Sequence, residues 1–355
     1  MCGASGRSCA IGASTPTTTW CAATVTEHEG EDRVLLALLS DGGFHSGESL
    51  AAELGISRAA VWKRIGRLGE LGLHVERRSG RGYRLEGGIE LLEGERILAL
   101  LPDELRARVT GVDVCGVIDS TNDVLLRALR SGKAVHGVAC LAERQTSGRG
   151  RRGRNWLSPF GSNIYLSLAW RFDRGVAALD GLSLAVGVAV VRALEQCGIG
   201  GIGLKWPNDL FAGDAKFGGI LIELDGELSG PMSAVIGVGL NLRMPLAEAA
   251  AIGQPWIDLE TLAGRVIGRN ALAAALIASC VELLPRFAVH GFSVVQPDWE
   301  RLDVLAGRGI TVSTSDGRVL DGTADGVDAG GALRLRSAEG LLLLNSGEVS
   351  VRRRA

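Results

Sequence analysis

The 355-residue sequence lacks several features that would place it in a specialised class of protein. No uninterrupted apolar stretch reaches the roughly 18 residues that span a bilayer, and the longest candidate, 182–194, contains Ser183 and Arg192. The seven cysteines show no paired spacing typical of a metal site, so we expect reduced thiols. The first residues lack the basic and apolar blocks of a signal peptide, so we expect a cytoplasmic protein without a membrane partner.

The composition has no strong excess of either charge, because 38 basic and 40 acidic residues leave a net charge of −2. This balance argues against a protein that binds polyanions over its whole surface, so any nucleic-acid surface must be local. The apolar fraction of 46% is sufficient for a sizeable core. The chain length predicts two or three domains.

The stretch at residues 142–156 combines five arginines with three glycines. Glycine lets backbone N–H groups converge on an oxygen, and a guanidinium group matches the geometry of phosphate or carboxylate. A solvated basic loop that contacts nucleic acid is the alternative interpretation. The strand-like alternation at residues 158–168 favours the interpretation that this loop is a lid that covers an active site. The five arginines are Arg144, Arg149, Arg151, Arg152 and Arg154.

Residues 1–29 are rich in Ser, Thr, Ala and Gly, with little hydrophobic periodicity, and predict a disordered extension. Residues 30–88 predict a winged helix-turn-helix: Gly55 provides the turn and Ser57 caps a basic third helix. The hairpin that follows predicts an exposed wing with Arg77, Arg78, Arg81 and Arg84. The predicted DNA contacts are Ser57, Arg58, Lys63, Arg64 and Arg81.

Two questions about this N-terminal region stay open. A small helical module that binds protein is the alternative to DNA binding, because basic faces are often only solvated. Trp62 lies on the third helix, where it could face either the core or DNA.

Several polar groups follow predicted strands in the central region. Ser120, Thr121 and Asn122 lie at a strand-to-helix junction, where helix capping is the simpler interpretation. Lys216 precedes a strongly apolar strand, a costly position unless an anion lies nearby. In the next strand, Gly237 and Gly239 would admit a flat ring. Residues 304–355 alternate short strands with glycine turns and predict a small barrel.

Taken together, these motifs resemble the biotin–protein ligase family, in the bifunctional form that also represses the biotin operon. The DNA-binding motifs are F-H-S-G-E-S-L and G-I-S-R-A-A-V, and the catalytic motifs include D-S-T-N, G-R-G-R-R-G, S-P-F-G-S-N-I-Y-L-S, K-W-P-N-D-L and K-F-G-G-I-L-I-E. The closing S-G-E-V-S-V-R matches the C-terminal part. The ordered set covers nearly the whole chain after about residue 31.

The resemblance implies an α+β multidomain fold. A winged helix-turn-helix at 30–88 would precede a mixed α/β ligase domain at 89–303 and an SH3-like β domain at 304–355. It also implies a two-step reaction, in which biotin and MgATP form biotinyl-5′-AMP, and a lysine of the biotin carboxyl carrier protein of acetyl-CoA carboxylase then takes the acyl group.

The resemblance assigns roles to residues that match the family's motifs. The candidates for catalysis are Arg151, Lys205, Asp209 and Lys216. Those for biotin binding are Ser120, Thr121, Asn122, Gln145, Arg149, Gly150, Arg151 and Lys216. Those for the adenylate are Arg149, Arg151, Trp156, Asn208 and Asn241. Trp156 as an ordinary core residue remains an alternative.

The resemblance further implies that the adenylate-loaded protein forms a homodimer and binds operator DNA. Three alternatives remain: a biotin-sensing repressor without catalysis, a lipoate or octanoate transferase on the same fold, and a ligase whose winged helix is only structural. The intact G-R-G-R-R-G motif and Lys216 argue against the first, and the G-R-G-R-R-G and K-W-P-N-D motifs with the attached winged helix argue against the second.

Overall fold

The computed structural model describes residues 27–227, 229–314, 317–345 and 349–353. The predicted extension at 1–29 therefore lies almost entirely outside the described residues. Its last three positions belong to the first helix, which begins at Glu27.

The N-terminal region forms the predicted winged helix-turn-helix. Its elements are α1 (Glu27–Leu39), α2 (Gly47–Leu54), α3 (Arg58–Glu70), β1 (Val75–Arg78) and β2 (Gly82–Leu85). Gly55 ends α2 with a φ of 65°, and the Ser57 hydroxyl accepts a hydrogen bond from the Ala60 N–H at 3.2 Å. The expectation that Arg84 is exposed is wrong: it is half-buried and pairs with Glu76, because β1 and β2 place the two side chains opposite each other.

The central region is built on a seven-stranded mixed sheet. Its strands are β3 (Gly111–Ile118), β4 (Val138–Gln145), β5 (Ile164–Phe172), β6 (Ile202–Lys205), β7 (Asp209–Ala212), β8 (Ala215–Gly226) and β9 (Met232–Leu240), in the order β3-β4-β5-β9-β8-β7-β6. The pair β3 and β4 is parallel, and the remaining neighbours are antiparallel.

Eight α-helices surround this sheet in the described chain. They are α4 (Gly94–Ala99), α5 (Asp103–Arg106), α6 (Thr121–Arg130), α7 (Leu182–Gln196), α8 (Leu246–Ala249), α9 (Leu259–Ala263), α10 (Arg269–His290) and α11 (Gln296–Leu302). The largest hydrophobic cluster joins α7 and α10 to the sheet.

Two helical segments of the described chain, Val176–Gln196 and Arg269–Val294, have the length and hydropathy of a membrane span. The first contains the stretch 182–194, the longest apolar candidate in the sequence, whereas the sequence did not single out the second. Most of each apolar window, 61% and 67% respectively, is buried inside the protein. Both segments therefore pack as core helices.

The C-terminal region is a small antiparallel β domain, as predicted. Its strands are β10 (Gly309–Thr314), β11 (Val319–Val327), β12 (Leu333–Ser337), β13 (Gly340–Leu344) and β14 (Val349–Arg353), in the order β13-β12-β11-β10-β14. The predicted S-G-E turn at 346–348 lies outside the described residues. Trp206 donates its indole N–H to the Gly331 carbonyl at 3.0 Å and so ties this domain to the central one.

Candidate active site

The arginine–glycine segment folds back on itself as a hairpin between β4 and β5. Arg149 and Asn155 pair across its base, and the Trp156 N–H donates to the Gly148 carbonyl at 2.8 Å. Its tip is a short 3₁₀ turn, Arg151–Gly153, in which Arg152 has a φ of 59°. The segment is therefore a structured hairpin, which we call the Arg-Gly hairpin (148–156).

Trp156 ends the Arg-Gly hairpin and lies flat against β9. A Cβ atom at Gly239 would come within 2.8 Å of the indole, so glycine is required there for the ring to approach. The indole Nε1 is buried and has no hydrogen-bond partner among the described residues. The flat ring predicted for Gly239 is thus Trp156 itself, while Gly237 admits the amide of Asn122.

A buried polar cluster lies where α6 begins. Ser167 Oγ is 2.7 Å from Thr121 Oγ1 and 2.5 Å from Asn122 Oδ1. The side-chain amide oxygen of Gln145 accepts a hydrogen bond from the Thr121 N–H at 2.9 Å. Ser120 occupies the N-cap position of α6, yet its side chain makes no capping bond within the described chain. The Thr121 and Asn122 side chains of the S-T-N motif therefore belong to a buried hydrogen-bonded cluster, and Ser120 does not cap the helix through its side chain.

Two lysines and an aspartate lie on β6, β7 and β8. Lys216 donates to Asp209 at 2.5 Å, and its Nζ lies 5.7 Å from the centre of the Trp156 ring. Lys205 Nζ lies 5.1 Å from the centre of the Phe211 ring. The predicted anionic partner of Lys216 is thus Asp209 in this state, and a bound anion would compete for the same ammonium group.

Arg151 is the cation in this site whose hydrogen-bonding capacity is least satisfied. Its Nη1 lies 3.4 Å from the Asn208 side-chain oxygen, a weak contact. Its Nη2 is buried with no hydrogen-bond partner in the described part of the chain. Burial lowers the pKa of this guanidinium. A buried donor of this kind is costly unless a ligand meets it, so the position suits an anion.

Arg149 has the opposite environment. It donates two hydrogen bonds to Asp123, at 2.5 and 2.6 Å, and two to Glu223 at 3.0 Å. Hydrogen bonding to Asp123 is the main cause of the raised pKa of Arg149. The guanidinium predicted to bind the adenylate is therefore already engaged by two carboxylates.

The two asparagine candidates line other parts of the site. Asn208 donates to the Ile220 carbonyl at 2.8 Å, which orients its side-chain oxygen towards Arg151. Asn241 is buried at the end of β9, and its amide lies 3.4 Å from the Ile257 carbonyl.

Sequence reasoning missed three members of the site, Asp123, Ser167 and Glu223. Each had a local signal: an acid next to the S-T-N motif, a hydroxyl in an apolar strand, and an acid in the strand after Lys216. Their convergence is a tertiary effect, since Arg149 lies 26 residues from Asp123 and 74 from Glu223. The described residues contain no group of three or more His, Cys, Asp or Glu side chains placed to hold a metal ion.

The predicted DNA-contact residues all lie on the winged helix-turn-helix. Arg58 and Lys63 are exposed on α3, whereas Arg64 is half-buried and Ser57 serves as the helix cap. The wing residue Arg81 places its guanidinium 4.4 Å from the centre of the Phe44 ring, as Arg78 and Arg84 do at 5.3 and 4.7 Å. Trp62 is 62% exposed, so it faces outwards from α3.

Comparison with known proteins places these features in one family. Residues 114–241 match the biotin/lipoate A/B protein ligase family, residues 31–84 a helix-turn-helix domain, and residues 306–352 the biotin protein ligase C-terminal domain. The bifunctional ligase/repressor BirA of Escherichia coli is 42% identical over 318 residues, which cover 90% of this chain and 96% of that protein. The protein of the same name from Salmonella typhimurium gives the same values.

A solved structure agrees with this assignment. The biotin protein ligase from Aquifex aeolicus, in complex with biotin and ATP, has a TM-score of 0.58 and 26% identity, covering 69% of this chain and 100% of that one. The three matched regions occur in the order expected of ligases that also carry a DNA-binding domain. The chain therefore belongs to the bifunctional ligase/repressor family of biotin protein ligases.

Proposed function

We propose that this chain is an ATP-dependent biotin–protein ligase. A carboxylate oxygen of biotin attacks the α-phosphorus of ATP, the bond between the α- and β-phosphates breaks, and pyrophosphate leaves. The product is biotinyl-5′-AMP. A lysine amine of the biotin carboxyl carrier protein of acetyl-CoA carboxylase then attacks the acyl carbon, so that an amide forms and AMP is released.

The observation that carries this proposal is the Nη2 of Arg151, which is buried and has no hydrogen-bond partner among the described residues. Two anionic substrates must meet, and negative charge spreads over the α-phosphate in the transition state. Arg151 and Lys216 supply positive charge where these groups would lie. Mg²⁺ enters with ATP as the MgATP substrate. Lys205 adds positive charge, and Asp209 orients Lys216 through their 2.5 Å contact.

The polar cluster supports biotin as the acyl substrate. Ser120, Thr121, Asn122 and Gln145 offer both donors and acceptors to the ureido ring, and such a buried set rejects analogues that lack matching groups. Gly150 keeps the main chain of the Arg-Gly hairpin free of a side chain near the acyl group. Trp156 and Asn241 flank the position proposed for adenine.

The test is acceptor biotinylation, followed by mass spectrometry, with biotin, MgATP and a carrier domain. Wild type should add one biotin to the acceptor, and Lys216→Ala should slow this at least about 100-fold, as expected for loss of a group that stabilises transition-state charge. Arg151→Gly should release free biotinyl-5′-AMP. Matched changes at exposed positions, Lys133→Ala and Arg174→Gly, should behave as wild type. An unmodified acceptor with wild type would refute the enzyme and favour a biotin-sensing repressor.

We further propose that the adenylate-loaded protein forms a homodimer and represses transcription in the cytoplasm. The exposed basic face of α3 and the arginine-rich wing support DNA binding. A duplex selected from a randomised pool should be bound more tightly when biotin and ATP are present, together with a shift from monomer to dimer. Equal binding without biotin would make the winged helix a structural domain only.

A further inference from the structure

The base of the Arg-Gly hairpin is held by ionic contacts on the outer side of the site. Arg149 is the first residue of the paired base, and Arg151 follows it after a single glycine. The position of Arg149 therefore sets where the Arg151 guanidinium can reach. Any group that fixes Arg149 also fixes the approach of Arg151 to the substrates.

Two elements of the core supply these contacts. Asp123 lies in the first turn of α6, and Glu223 lies on β8, so the guanidinium bridges a helix and a strand that are themselves packed together. The contact with Asp123 is bidentate, with distances of 2.5 and 2.6 Å. A bidentate pair restrains orientation as well as position, because the planar fork must align with the carboxylate.

Two carboxylates and one guanidinium give these three groups a net formal charge of −1. Two carboxylates surround one guanidinium, so Arg149 offers little positive charge to a phosphate. Arg151, in contrast, has a buried donor without a partner among the described residues. The two arginines of this hairpin therefore have different roles: Arg149 pairs with carboxylates of the protein, and Arg151 has a donor left for a ligand.

We infer that Arg149, Asp123 and Glu223 form a clamp that positions the Arg-Gly hairpin, and that Arg149 is a positioning residue instead of a ligand of the adenylate phosphate. The clamp keeps the hairpin over β8 and β9 and holds Arg151 in reach of the substrates. Opening it lets the reactive adenylate escape before the acceptor lysine arrives.

Glu223 also links the clamp to the biotin pocket. Its carboxylate accepts a hydrogen bond from the Asn122 amide at 2.7 Å as well as those from Arg149. Asn122 in turn contacts Ser167 inside the polar cluster. One carboxylate thus orients both a proposed biotin contact and the hairpin that covers it.

The first test needs no substrate and so does not depend on the proposed ligase function. Trypsin cleaves after Arg151, Arg152 and Arg154 only when the hairpin opens. Loss of a charge-assisted pair should speed this cleavage about tenfold in Asp123→Asn and in Arg149→Gln. Asp225→Asn is the matched control, because Asp225 lies on the same strand and pairs with Arg130 of α6 at 3.3 Å. Equal cleavage rates in all four proteins would overturn the clamp.

The second test rests on the proposed ligase function and measures release of biotinyl-5′-AMP from the loaded protein. Each single variant should release it about tenfold faster, and the double variant Asp123→Asn/Arg149→Gln no faster than Arg149→Gln alone, since Asp123 acts in the clamp through Arg149. A phosphate ligand behaves differently: Arg149→Gln alone would slow adenylate formation while Asp123→Asn would not, and that result overturns the inference.

Failure of the ligase proposal is distinguishable from failure of the clamp. If wild type forms no adenylate, the enzyme assignment falls, and the proteolysis rates still decide whether the clamp exists. Circular dichroism of each variant identifies any loss of folding, which is unexpected because all three clamp side chains are only partly buried.

Discussion

Arg149 and Arg151 are separated by one glycine, yet their side chains have opposite electrostatic surroundings. Arg149 is paired with two carboxylates, whereas Arg151 is half-buried and its buried Nη2 has no hydrogen-bond partner among the described residues. The number of arginines in a loop therefore does not measure its capacity to bind anions. What matters is how many of them the folded chain leaves without a carboxylate.

Trp62 is a second residue whose surroundings decide its role. It is 62% exposed on the outer face of α3, while Val61 beside it is fully buried. An exposed indole between Arg58 and Lys63 lies where a recognition helix meets base edges in the major groove. Aromatic and apolar side chains there contact the methyl group of thymine.

We predict that Trp62→Ala weakens DNA binding about tenfold, the effect of losing one base contact, without lowering the temperature of unfolding. Fluorescence anisotropy of a labelled duplex selected by the wild-type protein measures the DNA affinity, and thermal melting measures the temperature of unfolding. Leu246→Ala, at another exposed apolar position, is the control. Unchanged affinity combined with a lower melting temperature would assign Trp62 to packing.

A buried ion pair joins β4 to α10 and also contacts the segment that follows the winged helix, at residues 90–92. Arg269, the first residue of α10, donates to Glu143 of β4 at 2.6 Å, and the two side chains are only 5% and 2% exposed. Glu143 also accepts from the Leu92 N–H at 2.7 Å, and Arg269 donates to the Glu90 carbonyl. The pair therefore ties the segment after the winged helix to the catalytic sheet.

We predict that Glu143→Ala destabilises the protein by about 3 to 5 kcal/mol, because it leaves the Arg269 charge buried without its partner. Urea denaturation measures this loss. The double change Glu143→Leu/Arg269→Met should recover most of it, since it removes both charges. Glu282→Ala, on an exposed face of α10, should cost less than about 0.5 kcal/mol. A cost for Glu143→Ala as small as that of the control would contradict the argument.

The elements that the sequence predicted well are those with local signals. Gly55 and Ser57 mark the end of α2 and the start of α3 by turn and capping chemistry, and the structure confirms both. Anion binding by the Arg-Gly hairpin stays a prediction, based on its arginines and glycines and on the strand-like alternation that follows it. The contacts of Arg149 with Asp123 and Glu223 were not predicted, because they join residues up to 74 positions apart.

Local sequence patterns also failed to predict the Arg269–Glu143 ion pair and the half-burial of Arg84. Arg269 and Glu143 are 126 residues apart, and no local pattern in the sequence pairs them. The half-burial of Arg84 follows from the register that places it opposite Glu76. Pairing of distant charges depends on how the elements pack, which one sequence does not specify.

For the molecule as a whole, the joint between the central and C-terminal domains contains a buried acid. Asp303 follows α11, and its Oδ2 is buried without a hydrogen-bond partner among the described residues. Burial raises the pKa of this carboxyl to about 6 from an ordinary value of 3.8. The folded state therefore holds this proton more tightly than the unfolded state does.

The sign of the pH effect follows from linkage. Below pH 4 Asp303 is protonated in both states, and between about pH 4 and 6 its contribution to stability falls as pH rises, by about 2 to 3 kcal/mol in total. We predict that Asp303→Asn stabilises the protein by about 1 to 2 kcal/mol at pH 7.5 and has little effect on its free energy of unfolding at pH 4. Urea titrations at both pH values measure this, with the exposed Asp173→Asn as control. An equal difference at both pH values would contradict it.

The winged helix shares its hydrophobic cluster with the catalytic region, since Leu35, Leu39 and Leu50 pack together with Ile89, Leu91 and Phe160. Arg243 adds hydrogen bonds to the carbonyls of Gly87 and Gly88. Removal of residues 30–88 would expose the apolar side chains of this shared cluster to solvent. A free-standing ligase cut from this chain would therefore tend to aggregate, and making one soluble would require polar replacements at Ile89 and Phe160.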